Sequence, residues 1–453
     1  MPSLRWLPLQ NAKRAALCAL VLFLPCSVEA ATPSTAQLAT YESMPENERV
    51  RLLVFMAKSP EAENVIPLLH RYPLQGPFAA NRKLFLEGLV FKTKGKYTQA
   101  AAKFRAALAD DPSLTLVRSE LAETLVILQE DDSALHQLKL LEAEAPDAQA
   151  ASSIRSFIDQ VDSRRPYTVT GYVSLAPSSN LNGGSSHTTV YSPTLKVNLT
   201  PAAPQSGIGI ASGISGAFTK RLGNDLMFVA SGGADARLYN DHDFNSYDLS
   251  QSLEMRYLVP KGYLSLGAVS SQQLDNDTYG PNYLSYGPRI STSLQLTPQN
   301  HVSLSAAYEW RSNLVKGATD STAVMLDGSI THAWNSAFNT TVFAGFDKIM
   351  TPADVTSYHT FSGGLSVYKE LTYGISATLT GTVTKTDYEG INGIAAKKRS
   401  DNRLVSSIAI TKRDINLFGF APSLSYSFVD NFSNIDNYDY TAHAVDFRLT
   451  KDF

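Results

Sequence analysis

The 453-residue sequence predicts two domains of different class, an α-helical solenoid followed by a transmembrane antiparallel β-barrel of about 14 strands. Two observations support this fold class. Hydrophobic residues recur at helical spacing up to about residue 163, and at alternate positions from residue 167 onward. In the second part, short and long connections then alternate between the strand-like segments, as they do in transmembrane barrels.

Residues 1–30 have the pattern of a secretory signal peptide. Basic residues come first, residues 15–24 form an apolar stretch, and residues 28–30 fit a cleavage site. Cys26 raises the alternative of a lipidated cysteine, but Pro25 stands where that processing signal requires a small residue. Because Cys18 and Cys26 are the two cysteines of the chain, we expect an exported protein without a disulfide or a thiolate metal site.

Residues 36–163 have the periodicity of paired helices. The order of large, small and proline positions matches the tetratricopeptide repeat (TPR) once well and a second time less fully. Small residues allow paired helices to approach closely, and large residues fill the space beside them. Stacked pairs leave a concave surface that often binds peptide segments. The residues expected in this packing are Leu84, Gly88, Phe91, Ala100, Phe104, Ala107, Pro112, Ala122, Ala134 and Pro146.

Residues 167–453 alternate with a period of two, which is typical of strands. Between residues 301 and 311, Leu304, Tyr308 and Trp310 share one face, whereas Glu309 and Arg311 share the other. The apolar face carries aromatic residues toward the strand ends, as the interface girdles of membrane barrels do. We therefore expect an apolar outer face in contact with lipid and a polar lumen.

Fourteen strand-like segments are predicted in this part of the chain. Short connections such as residues 222–224 and 260–261 alternate with longer, more polar ones such as 177–206, 387–402 and 429–439. Residues 190–199 are also strand-like, so the first long loop holds either a hairpin or a plug, and 16 strands are the alternative. The segments start near Tyr167, Gly207, Asp225, Asn245, Gly262, Tyr283, His301, Ser321, Asn339, Tyr358, Gly374, Arg403, Leu417 and Tyr440.

The last predicted strand ends on an aromatic residue. Phe447, Leu449 and Phe453 fall on one face of it, in the pattern that the barrel assembly machinery is thought to read. An even number of strands places both ends of the barrel on one side of the membrane. Because the helical domain precedes the first strand, we expect that side to be the periplasm of a Gram-negative bacterium.

Charged residues alternate into the predicted lumen. Ion pairs that stabilise the wall are one interpretation, and a polar path for a hydrophilic cargo or an unfolded chain is the other. Fourteen strands enclose a wider lumen than the eight-stranded barrels that side chains can fill. The predicted lumen residues are Glu254, Arg256, Arg289, Glu309, Arg311, Asp327 and Arg448.

Motifs for catalysis or cofactor binding are weak. The glycine-rich residues 206–216 lack the lysine of a phosphate loop and are predicted to form a strand. Two acidic loops, at Asp241 to Asp243 and at Asp275 to Asp277, lack the glutamate that would complete a calcium site. We expect no enzymatic activity and no cofactor. A net charge of -3 also argues against nucleic acid as a partner.

The order of signal peptide, TPR domain and barrel resembles the surface lipoprotein assembly modifier (Slam) family. The local resemblance is strongest in residues 166–172 and in Ser179-Asn180-Leu181-Asn182. It implies an outer-membrane translocon whose cargo is a surface lipoprotein or a secreted protein. It also implies that the TPR domain receives cargo or periplasmic chaperones. We expect a monomeric barrel in contact with outer-membrane lipid.

Two alternatives remain open from the sequence. An exopolysaccharide export barrel also combines TPR repeats with a barrel, although that class has many more repeats. A passive porin would not need the helical domain. After residue 30 the sequence has no run of 18 apolar residues, which excludes a transmembrane helix in the exported chain.

Overall fold

A computed structural model describes residues 40–164, 166–275, 282–315, 317–415 and 420–450. The predicted signal peptide, Phe453 and most of the acidic loop at Asp275 to Asp277 lie outside these ranges. The chain forms two compact units. The first comprises the chain through Glu144, Ser153–Val161 and the segment Glu370–Ile375, and the second comprises Ala145–Ser152, Asp162–Lys369 and Ser376–Phe453. Within the described ranges, every helix is too short or too polar to cross a membrane.

The helical part consists of consecutive helices joined by short turns. A 3-10 helix at Pro60–Asn64 lies between the first two α-helices. The α-helices are α1 (Glu46–Ala57), α2 (Val65–Arg71), α3 (Ala79–Thr93), α4 (Tyr97–Asp110), α5 (Thr115–Leu128), α6 (Asp131–Ala143) and α7 (Ala148–Ser163).

Close packing between α3 and α4 depends on a glycine opposite a phenylalanine. A Cβ atom added to Gly88 would overlap the ring of Phe104, and that ring is itself fully buried. The turn between the two helices uses Gly95 at φ +70°, and the Lys96 N–H donates to the Phe91 carbonyl in the manner of a Schellman cap. These local features bring the two helices together as an antiparallel pair.

An arginine lies fully buried within the first unit. The Arg118 side chain is 0% exposed, and its guanidinium donates to Gln137 Oε1 at 2.6 Å, the Pro112 carbonyl at 2.7 Å and Glu370 Oε2 at 2.8 Å. The Glu370 side chain is likewise 0% exposed. Because neither charge reaches water, each depends on the other for its stability.

The second part of the chain forms a closed barrel of 14 antiparallel strands, which confirms the predicted number. Its order around the wall follows the chain, and the first strand pairs with the last. The barrel strands are β1 (Tyr167–Leu175), β4 (Gly209–Arg221), β5 (Leu226–Tyr239), β6 (Ser246–Val259), β7 (Gly262–Asp275), β8 (Tyr283–Thr297), β9 (Asn300–Asn313), β10 (Ser321–Asn335), β11 (Phe338–Met350), β12 (Tyr358–Glu370), β13 (Ile375–Asn392), β14 (Lys397–Lys412), β15 (Ala421–Ser433) and β16 (Tyr440–Thr450).

The first long loop contains a separate hairpin. Its strands, β2 (Val190–Ser192) and β3 (Val197–Leu199), pair with each other and stay outside the barrel ladder. Ser192 Oγ donates to the Ile394 carbonyl at 2.8 Å, which fixes the hairpin to the loop between β13 and β14. Of the alternatives open from the sequence, the hairpin is confirmed and 16 barrel strands are excluded.

The outer face of the barrel is apolar. Leu253, Leu266 and Leu304 are about half exposed or more, and the side chains that alternate with them point to the interior. Trp310 packs on Tyr286 with ring centroids 5.7 Å apart, near the end of the barrel that carries the longer loops. Trp334 stacks on Phe338 near the opposite end, so aromatic residues flank the apolar band on both sides.

Several loops are shorter than predicted. β14 begins at Lys397 and not near Arg403, so the loop predicted at 387–402 is reduced to residues 393–396. β15 extends to Ser433, which shortens the loop predicted from residue 429. The polar composition of these segments fits strands that extend out of the bilayer into water. Side chains there do not contact lipid, so they need not be apolar.

Candidate functional site

The lumen contains the chain's candidate functional site. A cavity of about 590 Å³ is lined by the inner faces of strands β1 and β4 to β10. Most of its lining is serine, threonine, glycine and alanine, together with Asp235, Arg289, Glu309 and Asp327. Hydroxyl groups of neighbouring strands also bond to each other, as between Thr170 and Ser215 at 2.8 Å. The described lining of this part of the lumen is therefore mostly hydrophilic and consists mainly of small side chains.

Four of the predicted lumen residues form two ion pairs, and the partners of each pair lie on the same strand. Arg256 Nε lies 3.1 Å from Glu254 Oε2, and Arg311 Nε lies 3.3 Å from Glu309 Oε2. In both pairs the guanidinium also lies over a tyrosine ring on a neighbouring strand. The distances from Cζ to the ring centroid are 4.4 Å for Arg256 over Tyr263 and 5.0 Å for Arg311 over Tyr283. These contacts fit the interpretation in which charges stabilise the wall.

The remaining predicted lumen residues lie at different places around the wall. Asp327 accepts from Ser305 Oγ at 3.4 Å, and both line the cavity. Arg289 also lines it, and among the described residues no hydrogen-bond partner reaches its buried Nε. Arg448 does not line this cavity. It lies on the last strand, with its Cζ 4.0 Å from the centroid of the Tyr172 ring.

A network between the first and last strands was missed by sequence reasoning. Tyr172 Oη donates to Asp235 Oδ1 at 2.7 Å, and Ser174 Oγ donates to Asp446 Oδ1 at 3.3 Å. Together with Arg448, these side chains link β1 to β5 and β16. The alternation of residues predicts which side chains face the lumen. No local sequence signal predicts the register in which β1 pairs with β16, where residue 172 lies opposite residue 450.

The residues predicted to pack as TPR helices lie where the helices meet. Ala100, Phe104, Ala107, Ala122 and Ala134 are fully buried. Leu84 and Phe91 pack from partly buried positions against the cluster that contains Phe104, whereas Ala122 belongs to a second cluster with Leu138. Pro112 follows α4, and Pro146 precedes α7.

A charged cluster supports the helical unit. Glu120 accepts from Lys58 Nζ at 2.6 Å and Lys92 Nζ at 2.7 Å, and Lys92 also reaches Glu123 at 2.7 Å. Burial alone would raise the pKa of Glu120, but the two lysines outweigh it, so the pKa is lower than its ordinary value of 4.5. Burial would likewise lower the pKa of Lys92, but the two carboxylates raise it above 10.5.

The other sequence candidates have structural roles. The glycine-rich residues from 209 onward form β4, as predicted. Asp241 accepts from the Asp243 N–H and begins a short 3-10 turn at His242–Phe244. Over the described ranges, no group of three or more histidine, cysteine or acidic residues is arranged to hold a metal ion.

Comparison with known proteins identifies the barrel. A family model described as "Surface lipoprotein assembly modifier" matches residues 167–453. The chain is 22% identical over 377 residues to Surface lipoprotein assembly modifier 1 of Neisseria meningitidis serogroup B, covering 81% of this chain and 75% of that protein. It is 23% identical over 371 residues to Surface lipoprotein assembly modifier of Moraxella catarrhalis, covering 77% and 69%.

Solved structures of outer-membrane barrels are more distant. A FadL homologue of Pseudomonas aeruginosa has a TM-score of 0.35 and 10% identity, covering 63% of this chain and 89% of that one. OmpT of Vibrio cholerae has a TM-score of 0.36 and 7% identity, covering 63% and 100%. The family match spans the whole closed barrel, with its apolar outer face and polar lumen, and the chain therefore belongs to the surface lipoprotein assembly modifier family.

Proposed function

We propose that this protein is an outer-membrane translocon that delivers lipoproteins to the cell surface. The observation that carries the proposal is the family match over residues 167–453, which coincides with the barrel. Relatives named for surface lipoprotein assembly match most of the chain as well. The cargo class is therefore taken from the family, and the barrel supplies a route through the membrane.

The lumen has a composition suited to a moving polypeptide. A chain in transit needs polar groups that exchange hydrogen bonds with its backbone, and a wall without tight pockets for particular side chains. Serine and threonine hydroxyls, such as those of Thr170, Ser215 and Ser252, line the cavity and provide this. The proposal requires no covalent chemistry and no cofactor.

The helical unit is proposed to act before the barrel. In this proposal, residues 36–163 form a TPR-like domain in the periplasm that receives cargo or the chaperones that carry it. The paired helices α3 to α6 and the close contact between Gly88 and Phe104 support the TPR assignment. The barrel assembly machinery is proposed to insert the barrel by reading the strand that carries Phe447 and Leu449. The inserted barrel is proposed to act as a monomer.

Gene deletion with complementation tests the proposed function. Surface proteins of the deletion strain are labelled with a membrane-impermeant biotin reagent and compared with those of the parent strain. One or more lipoproteins are expected to lose surface labelling while their total amount in the cell is unchanged, and the wild-type gene is expected to restore them.

Two alternative functions give different results in the same strains. Loss of exopolysaccharide export with surface lipoproteins intact would support a polymer exporter and contradict the proposal. A defect limited to uptake of small solutes would support a porin. A control variant, Arg105→Gln in the helical unit, changes a partly buried ion pair with Glu130 at 2.7 Å and is expected to complement fully.

A further inference from the structure

Tyrosine and arginine side chains form a belt inside the barrel, at the end that carries the longer loops. Five of them lie at or close to a strand end there, and the sixth lies in the loop between β15 and β16. The five alternate with outward-facing apolar residues of their strands, such as Leu284, Trp310 and Leu404, and therefore point into the lumen. The members of this mouth belt are Tyr283, Arg311, Tyr358, Tyr388, Arg399 and Tyr438.

Neighbouring members of the mouth belt are in contact with each other. The ring centroids of Tyr358 and Tyr388 are 5.2 Å apart. The Arg399 guanidinium contacts two rings, with its Cζ 4.8 Å from the centroid of Tyr388 and 3.6 Å from that of Tyr438. Aromatic pairs and cation–π contacts are attractive in these arrangements, so they hold the rings in place around the lumen.

Hydrogen bonds fix the loop that contributes Tyr438. Asn431 Nδ2 donates to the Tyr438 carbonyl at 2.6 Å, and Asn392 Nδ2 donates to the Tyr438 hydroxyl at 3.3 Å. Asn434, in the same loop, accepts from the Ser400 N–H at 2.9 Å. The loop is therefore bonded to β13, β14 and β15, and its tyrosine is held against the arginine of the belt.

Both arginines of the mouth belt have a carboxylate partner. Arg399 Nη2 lies 2.6 Å from Asp401 Oδ2, and Arg399 Nε lies 2.8 Å from the same oxygen. Arg311 is paired with Glu309 at 3.3 Å. Because each guanidinium is balanced by a carboxylate, the belt and these two partners carry no net charge. Such a surface repels neither acidic nor basic segments of a passing chain.

Three tyrosine hydroxyls of the mouth belt are available to a ligand. Tyr283, Tyr358 and Tyr388 are partly exposed, and among the described residues their hydroxyls have no hydrogen-bond partner. Tyr172, elsewhere on the inner wall, instead donates to Asp235 at 2.7 Å. A hydroxyl that served only to stabilise the wall would be bonded to it in this way. The three tyrosines therefore offer a ring face together with a free donor and acceptor.

We propose that the mouth belt is a contact surface for the extended polypeptide chain of the cargo. This inference rests on the proposed function. The lumen cavity is lined mainly by short side chains, whereas tyrosine and arginine are long, so the passage is narrower at the belt. Tyrosine rings pack on apolar side chains of any sequence, and their free hydroxyls exchange hydrogen bonds with peptide groups. An unfolded chain presents both kinds of group along its whole length.

Photo-crosslinking tests whether the belt touches the cargo. Tyr283 and Tyr286 lie on the same strand near the same end, but their side chains are on opposite faces of the wall. Each is replaced in turn by the photoreactive residue p-benzoylphenylalanine, in the full-length protein and in cells that deliver a lipoprotein. Irradiation should crosslink this lipoprotein at position 283, and likewise when Tyr388 is replaced. Position 286, where the tyrosine is 51% exposed on the lipid side, should give only background.

Substitution of the tyrosines tests whether the belt is needed. The triple variant Tyr283→Ser/Tyr358→Ser/Tyr388→Ser removes three rings and three hydroxyls. Its surface delivery of the same lipoprotein should fall by about fivefold or more, since these contacts with the passing chain are lost. The matched control is Tyr263→Ser, because Tyr263 also lies under an arginine but near the end with the short turns. The control should deliver at the wild-type rate. Heat-modifiable migration on gels verifies that each barrel is folded, and the crosslinking result decides if the triple variant is not.

Several results would overturn the role of the belt. No crosslink at positions 283 and 388 during active delivery, or equal crosslinking at position 286, would show that the cargo does not pass along the belt. Delivery at the wild-type rate by the folded triple variant, or an equal loss in the control, would leave the tyrosines with a role in wall stability alone. Crosslinks to a saccharide polymer instead of a protein would also contradict it. Failure of the proposed function is distinct from all of these, because the unmodified protein would then deliver no lipoprotein.

Discussion

Replacing Arg118 with methionine is expected to destabilise the helical unit strongly. Both Arg118 and Glu370 have side chains that are 0% exposed, so the variant leaves the Glu370 carboxylate buried without its guanidinium partner. Removing one partner of a buried ion pair costs about 3–5 kcal/mol. Domains have a total stability of about 5–15 kcal/mol, so this is a large fraction of what the unit has. For a unit of this size, the melting temperature is expected to fall by roughly 10–20 °C.

The double variant Arg118→Met/Glu370→Met separates charge burial from packing. It removes both charges and fills the space with apolar side chains, an exchange that is often neutral or stabilising. The double variant is therefore expected to melt closer to the wild type than the single variant does. The full-length protein is heated in detergent, and the helical far-UV circular dichroism signal is followed. A single variant that melts within a few degrees of the wild type, or a double variant that is less stable than the single, would refute the reasoning.

Three further predictions concern packing, pH and assembly. Gly88→Ala should destabilise the helical unit by about 1–3 kcal/mol in denaturant unfolding, since its Cβ overlaps the buried Phe104 ring, while Gly223→Ala, at a glycine with open space and without a left-handed φ, should leave stability nearly unchanged. The pKa of Glu120 lies below 4.5, so its stabilising effect is present above pH 4.5 and is lost as pH falls through the folded value. Glu120→Gln should flatten this acid-side loss in thermal melts from pH 6 to pH 3. Phe447→Ser should reduce the amount of heat-modifiable barrel in the membrane, whereas equal amounts would argue against an assembly role.

The barrel was predictable because strand alternation and turns are local. β8, β10, β12 and β16 begin at the predicted residues Tyr283, Ser321, Tyr358 and Tyr440. Where the prediction was wrong, the segment lies beyond the apolar band. Lys397 and the residues after it form strand β14 although they are strongly polar, because pairing with the neighbouring strand satisfies their backbone groups at any side-chain polarity.

The contacts that close the barrel were not predictable in the same way. Asn180 bonds to the Thr441 carbonyl, and Ser174 bonds to Asp446, across more than 250 residues of chain. Such partners are set by the register of closure, which depends on every strand between them. The lumen residues illustrate the same limit. Alternation places Glu254 and Arg256 side by side on the inner face of one strand, but the pairing of β6 with β7 decides that Glu254 also accepts a hydrogen bond from Ser265.

The short side chains of the lumen cavity have a consequence for selectivity. Hydroxyl groups of Ser231 and Ser252 bond to each other at 2.7 Å across neighbouring strands, and similar pairs recur along this part of the wall. A visiting amide that displaces one such bond replaces it with another of nearly equal strength, so no position along the path holds it tightly. A surface of this kind favours many brief contacts over one stable complex. In the proposed function, recognition of a particular cargo is then left to parts of the protein outside this cavity.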